Sequence, residues 1–370
     1  MPQKRKKLRV GVVFGGRSAE HEVSLVSATS VMNALDKSKF EIVPIGITPA
    51  GKWISSRECL RLLKEGVLPD NYPESILLPD PDHHGLVPVR KEPQHGGTKK
   101  IDVIFPLVHG TFGEDGTIQG LFELAGIPYV GAGVLGSAVG MDKVVAKQLC
   151  ETDGIPVSPY VWFMDGEYKR DPKEIIRKIE RHLAYPMFVK PVNSGSSVGI
   201  SKVRTRSGLR KGIELAMAYD IKILVERSIE QSREIEMSVL GNDDQIASVA
   251  GEILSSNEFY DYDAKYVDGK SRSVIPAPRP SATQRLLQDY SVRAFKILSC
   301  SGMARIDFLV VRRSLKIYLN EINTIPGFTS ISMYPKLWAA SGLEYADLID
   351  RLIQLGIERH EDKKKNQYSK

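Results

Sequence analysis

Cysteine is scarce in this chain. Cys59, Cys150 and Cys300 are widely spaced and form no Cys-x-x-Cys pair. That excludes a disulfide framework and a cysteine-based zinc site, and it points to a reducing compartment, the cytoplasm. Long apolar runs are lacking too. No secretory signal opens the sequence: the basic start leads into LRVGVVFGG, which is too short for a signal core and reads as a strand. The longest uncharged stretch, LAGIPYVGAGVLGSAVGM (124–141), has the length of a membrane span. Its five glycines and Pro128 make a poor helix and predict buried turns and short strands, with no membrane insertion. A basic face is also missing. Of the net charge of +6, +5 sits in residues 1–9 and +2 in residues 361–370, leaving −1 for the rest. The basic balance belongs to solvated tails, and nucleic acid is not an expected partner.

What is present is an ordinary globular composition. The 370 residues are 26% charged and 42% hydrophobic, enough for two or three domains with real cores, and no internal repeat stands out. The first third alternates strand and helix patterns: LRVGVVFGG, the helical EVSLVSATSVMNAL, FEIVPIGIT, then KKIDVIFPLVHG after a long interval. This βαβ rhythm predicts a parallel sheet with ligands near the strand C-termini. Residues 64–100, rich in proline and glycine, hold His83, His84 and His95 without metal-ligand spacing and predict an irregular surface insertion. From Met141 the texture changes to α+β. MDKVVAKQLCETDG and DPKEIIRKIERHL read as helices, the second opened by an Asp cap and a first-turn proline. YPMFVKPVNSGSSVGISKV reads as strand, loop, strand, and IKILVERSIE as a further strand. A third region follows from about Arg233: the strand REIEMSVLG, a polar loop through 255–275, a helix near 281–301, a hairpin and a final helix YADLIDRLIQLGIERH.

The hairpin carries the sharpest signal. In ARIDFLVVRRSLKIYLNEINTIPGF (304–328) two apolar strands are interrupted by Asp307, Glu321 and Asn323. Glu321 and Asn323 share a strand face, and a turn near Arg313–Ser314 sets Asp307 almost opposite Glu321. Two adjacent carboxylates in an apolar sheet are costly unless a cation joins them. A donor set of oxygens alone fits Mg²⁺ or Mn²⁺ shared with nucleotide phosphates, while a solvated sheet face is the plainer alternative. In VKPVNSGSSVGI, backbone N–H groups and hydroxyls after Lys190 can wrap a phosphate, although the loop is neither a Walker A nor a dinucleotide fingerprint. In FGGRSAEHEVSL, Glu20 lies near a helix start; in HGTFGEDG, His109 ends a strand. Each of these alone also fits a cap or a turn.

Their joint order is far more specific than any member. FGGRSAEHEVS, HGTFGEDG, MDK, VKPVNSGSSVG, REIE, YDYDAKY, ARIDF and NEINTIPGFT, all within residues 11–333, resemble the D-alanine–D-alanine ligase family of ATP-grasp enzymes. The resemblance implies an N-terminal Rossmann-like, parallel-sheet α/β domain that binds substrate (1–139). Two α+β ATP-grasp subdomains would follow and clamp ATP: a central one (140–228) and a C-terminal one with the metal site (229–370). By similarity, Lys143 and Lys190 contact ATP phosphates with Ser196 and Ser197, Glu226 contacts adenine, Glu234 binds ribose, and Lys265 reaches the γ-phosphate from a closing loop. Asp307, Glu321 and Asn323 would bind two Mg²⁺ or Mn²⁺ ions. Glu20, helped by His109, would hold the ammonium of the first D-alanine, and Glu20, Ser196 and Tyr266 would tie the loop to the substrate site. Arg305 and backbone N–H near Gly327 would stabilise an oxyanion, and Ser332 would bind the carboxylate of the second D-alanine. The implied product is D-alanyl-D-alanine, made through an acyl phosphate for peptidoglycan synthesis, and the implied assembly is a homodimer. Tyr266 after Lys265 favours D-alanine over D-lactate or D-serine as second substrate. A non-catalytic ATP-binding protein is the alternative from another class.

Overall fold

The computed structural model describes residues 6–69, 72–89, 99–254 and 272–367. Three main sheets follow one another along the chain. In the first, Leu8–Gly15 lies between Phe40–Ile47 and Val103–Pro106 and runs parallel to both. Being central explains why Leu8–Gly15 is apolar almost throughout instead of alternating. Trp53–Ile54 adds an antiparallel edge to Phe40–Ile47. The helix His21–Ala34 starts just beyond the C-terminal end of Leu8–Gly15, as the βαβ rhythm predicts.

Two expectations are corrected here. Residues 64–100 are not irregular throughout: Ser75–Leu77, Gly85–Pro88 and Lys99–Lys100 form a small antiparallel sheet. Leu77 pairs with Leu86, and both are buried with Ile101 and Phe122, which anchors the segment. The run 124–141 does not end in turns and short strands, because Val134–Met141 is an α-helix. Its glycines serve close packing. A Cβ on Gly136 would fall 2.4 Å from Ser299 O, and one on Gly140 would fall 2.9 Å from Thr324 Cγ2. Helix propensity is a weak prior when tertiary contacts require a bare backbone.

The second sheet is antiparallel, ordered Ser201–Val203, Met187–Pro191, Lys222–Arg227, Tyr160–Met164. The helices Pro172–His182, capped by Asp171, and Arg206–Met217 cover one face over a core of its own. The third sheet is built around Ser232–Gly241, paired along its length with Gly302–Val311, which in turn pairs with Ile317–Asn323. Ser281–Ile297 packs behind it. The last helix, Tyr345–Lys364, returns to the first sheet, where Leu348, Leu352 and Ile353 share a core with Val10, Phe14 and Leu25. No described helix is long and apolar enough to cross a membrane.

Candidate active site

The three sheets face one cleft. A cavity of about 510 Å³ is walled by Glu20, His109, Lys143, Ser196, Arg305 and Ser332. A smaller one of about 100 Å³ adjoins it, sharing Glu236, Asn320 and Glu321 and adding Lys190, Glu226 and Asp307.

The hairpin register pairs Asp307 with Glu321 and Arg305 with Asn323. Between Asp307 and Phe308 the register slips, so that Asn320 becomes the extra residue of a bulge. Such bulges re-aim side chains beside active sites. Both Asp307 oxygens are engaged by Arg305, whose Nε and Nη2 donate at 2.8 and 2.7 Å, and Asn323 Nδ2 donates to Oδ2 at 3.1 Å. Glu236, directly across from Asp307, holds the same guanidinium at 3.1 Å. Burial works against the Arg305 charge, but Asp307 and Glu236 outweigh it and raise its pKa above the usual value.

Among the described residues no three His, Cys, Asp or Glu side chains converge on one point. The residues singled out from the sequence as metal ligands are two cross-strand carboxylates, Asp307 and Glu321, and the amide of Asn323. That fits a hard divalent cation completing its shell with phosphate oxygens better than it fits a protein-only cage.

On one side of the cleft, Glu226 is buried and takes three donors. Lys190 forms an ion pair with Oε1, while Lys147 and Ser158 reach Oε2 at 3.1 Å each. Burial alone would raise this carboxyl, but the two lysines hold it down at about 2. Lys147 Nζ also donates to the bulge carbonyl Asn320 O at 3.2 Å. Lys143 donates to Ser194 O at 2.7 Å, and burial lowers its pKa. In the serine loop Ser196 and Ser197 sit at φ 47° and 61°. Consecutive non-glycine residues in the left-handed region store strain, which clusters at ligand-binding turns.

On the other side Ser196 donates to Glu20 Oε1. The Glu20 carboxylate fills space that a Cβ on Gly110 or Gly195 would need, 2.5 Å from Oε2 in each case. His109 is buried. Its Nδ1 lies 2.9 Å from Ile325 O, an acceptor only, so Nδ1 carries the proton and Nε2, 3.0 Å from Ser27 Oγ, accepts. Burial lowers the His109 pKa and keeps the ring neutral. Glu114 accepts from Gly110 N at 2.9 Å and from Ile325 N at 2.8 Å. Burial, then the nearby Glu20 charge, push it up to about 8.

Models of two protein families match the chain: "D-ala D-ala ligase N-terminus" over residues 9–132 and "D-ala D-ala ligase C-terminus" over residues 149–354. A D-alanine–D-alanine ligase of Natranaerobius thermophilus is 52% identical, covering 98% of both chains. One from Acetivibrio thermocellus is 49% identical, over 96% of this chain and 97% of the other. The chain belongs to the D-alanine–D-alanine ligase family.

Solved structures of that family share the architecture. The VanG D-Ala:D-Ser ligase from Enterococcus faecalis matches with a TM-score of 0.84 at 37% identity, covering 95% of this chain and all of that one. The D-alanine–D-alanine ligase from Coxiella burnetii matches at 0.82 and 37%, covering 97% and 96%. The family fold is the ATP-grasp architecture expected from the motifs. It implies ATP and a divalent metal.

Of the residues singled out from the sequence, Glu20, His109, Lys143, Lys190, Ser196, Ser197, Glu226, Glu234, Arg305, Asp307, Glu321, Asn323, Gly327 and Ser332 all line the cleft. Lys265 and Tyr266 lie outside the described residues. Lys190 and Glu226, assigned to different parts of the nucleotide, are bonded to each other here. Sequence reasoning missed Lys147, Glu236 and Glu114. Lys147 follows Lys143 by one helical turn on the same helix, a spacing that could have flagged it.

Proposed function

We propose that this chain uses ATP to join two D-alanines into D-alanyl-D-alanine through D-alanyl phosphate. One observation carries the reading: a single cleft holds a carboxylate suited to an ammonium, Glu20 bonded to Ser196, beside the Arg305–Asp307–Glu321 constellation of the hairpin. Glu20 takes the ammonium of the first D-alanine and directs its carboxylate towards ATP. A carboxylate oxygen attacks the γ-phosphorus and ADP leaves. Lys143 and Lys190 offset the repulsion between anions, so that catalysis is chiefly positioning and electrostatics. Asp307, Glu321 and Asn323 would hold two Mg²⁺ or Mn²⁺ ions, which would supply further neutralisation of the phosphates. The second D-alanine, its carboxylate at Ser332, attacks the acyl carbon through its neutral amine. Arg305 and the N–H near Gly327 receive the developing oxyanion, and inorganic phosphate departs as the peptide bond forms. Adenine at Glu226, ribose at Glu234 and the γ-phosphate at Lys265 would complete the assignment, and Tyr266, by the family resemblance, would join Glu20 and Ser196.

The succession of three sheets supports dividing the chain at about residues 139 and 228. The product is a peptidoglycan precursor, which places the reaction in the cytoplasm, and the family suggests a homodimer. A second reading, D-serine as second substrate, is favoured by the likeness to the D-Ala:D-Ser ligase. The test is phosphate release with ATP and Mg²⁺, products identified by mass, from D-alanine, L-alanine, D-alanine plus D-serine and D-alanine plus D-lactate. Dipeptide from D-alanine alone is expected. A preference for D-serine or D-lactate overturns the second-substrate assignment, and no release from any mixture overturns the ligase reading.

A further inference from the structure

Ile325 belongs to the segment that leaves the hairpin, two residues past Asn323 and two before Gly327. Its peptide is gripped at both polar ends by one loop of the first domain. The N–H donates to Glu114 Oε1 at 2.8 Å, and the C=O accepts from His109 Nδ1 at 2.9 Å. A third contact follows, since Ser27 Oγ lies 3.0 Å from His109 Nε2 and accepts from Phe328 N at 3.4 Å. The other Glu114 oxygen accepts from Gly110 N, and Gly110 in turn lies against the Glu20 carboxylate. The loop folds closely back on its own start, since a Cβ on Gly113 would fall 2.0 Å from Val108 O. Residues 109–114 therefore act as a spacer, with Glu20 on one side and the Ile325–Phe328 segment on the other.

We propose that Glu114 is a positioning residue for the ligation, holding the Ile325–Phe328 segment at a fixed distance from the Glu20 substrate anchor. Glu114 is buried, and each of its two oxygens accepts from a backbone N–H, one from its own loop and one from across the cleft. It bonds nothing that reacts. Its effect passes through Gly327, whose neighbourhood carries the oxyanion donor, and through Asn323 at the hairpin end. The inference rests on the ligase reading given above.

Glu114→Gln tests it. The amide keeps one acceptor and turns a donor towards one of the two N–H groups, so one grip is lost. Dipeptide formation should fall on the order of 10²-fold, the effect of a misplacement of about 1 Å. The KM for ATP should stay within about twofold, since the Glu226–Lys190–Lys147 cluster is untouched. Phosphate released per dipeptide should rise above one, because a badly placed oxyanion site leaves the acyl phosphate to water, which returns D-alanine and phosphate. An unchanged rate with a ratio of one overturns the proposal. So does a loss of rate with the ratio still at one and the melting point lowered, which marks a structural role only. If Glu114→Gln does not fold, Ser27→Ala decides: a rise in the ratio supports the clasp, and wild-type coupling overturns it. A wild-type protein inactive with D-alanine defeats the ligase reading instead, so the two failures are separable.

Discussion

Replacing Lys147 by methionine removes a buried cation while keeping most of its volume. Lys147 is 1% exposed and Glu226 3%, so neither charge is relieved by solvent. Breaking a buried ion pair by deleting one partner costs about 3–5 kcal/mol. A second estimate comes from the carboxyl itself: holding Glu226 at about 2 against an ordinary 4.5 corresponds to about 3 kcal/mol of preference for the ionised, paired form. Lys190 still neutralises Glu226 in the variant, so the lower end, about 3 kcal/mol, is the expected loss. For a cooperative unit of about 150–250 residues this lowers the melting midpoint by roughly 6–12 °C. Because the folded pKa is depressed, this stability is full above pH 4.5 and is lost as pH falls towards about 2. The gap between wild type and variant should therefore be widest at neutral pH and close on acidification. Calorimetric melts at several pH values measure it. A variant that melts with wild type at neutral pH, or a gap that widens in acid, would refute the reasoning.

Two further substitutions probe the rest of the cleft. Gly195→Ala places a Cβ 2.5 Å from Glu20 Oε2 and must push that carboxylate aside, so the KM for the first D-alanine should rise about tenfold with the KM for ATP unchanged; equal D-alanine kinetics would count against Glu20 as the anchor. Asp307→Asn removes a charge that Arg305 holds and that the proposed metal site would use. Turnover should fall on the order of 10²-fold or more, with a higher Mg²⁺ requirement in a metal titration, and an unshifted titration would remove Asp307 from the metal site.

The sequence was most legible where local periodicity did the placing. The two-residue period set Glu321 and Asn323 on one face, and a short turn brought Asp307 opposite, as the register shows. The bulge at Asn320 was invisible, because nothing in NEIN distinguishes a regular ladder from one with an extra residue. Helix Val134–Met141 was hidden by the glycines that its contacts with Ser299 and Thr324 demand. Glu114 and Lys147 act across 211 and 79 positions of sequence, on Ile325 and Glu226 respectively. No window along the chain could connect such pairs, and His109, weak by itself, gains meaning only from Ile325 and Ser27.

The return of Tyr345–Lys364 to the first sheet has a consequence for how the protein is made. Val10, Phe14 and Leu25 complete their core only against Leu348, Leu352 and Ile353, and Arg359 Nη2 reaches back to Tyr129 O at 3.2 Å. A ribosome adding about 5–20 residues per second delivers these partners on the order of 15–65 s after the first strand emerges. For that interval the opening sheet carries an uncovered apolar flank. Until the last helix arrives, the first sheet lacks part of its core, so a chain truncated before residue 345 should expose this flank and aggregate more readily than the full chain.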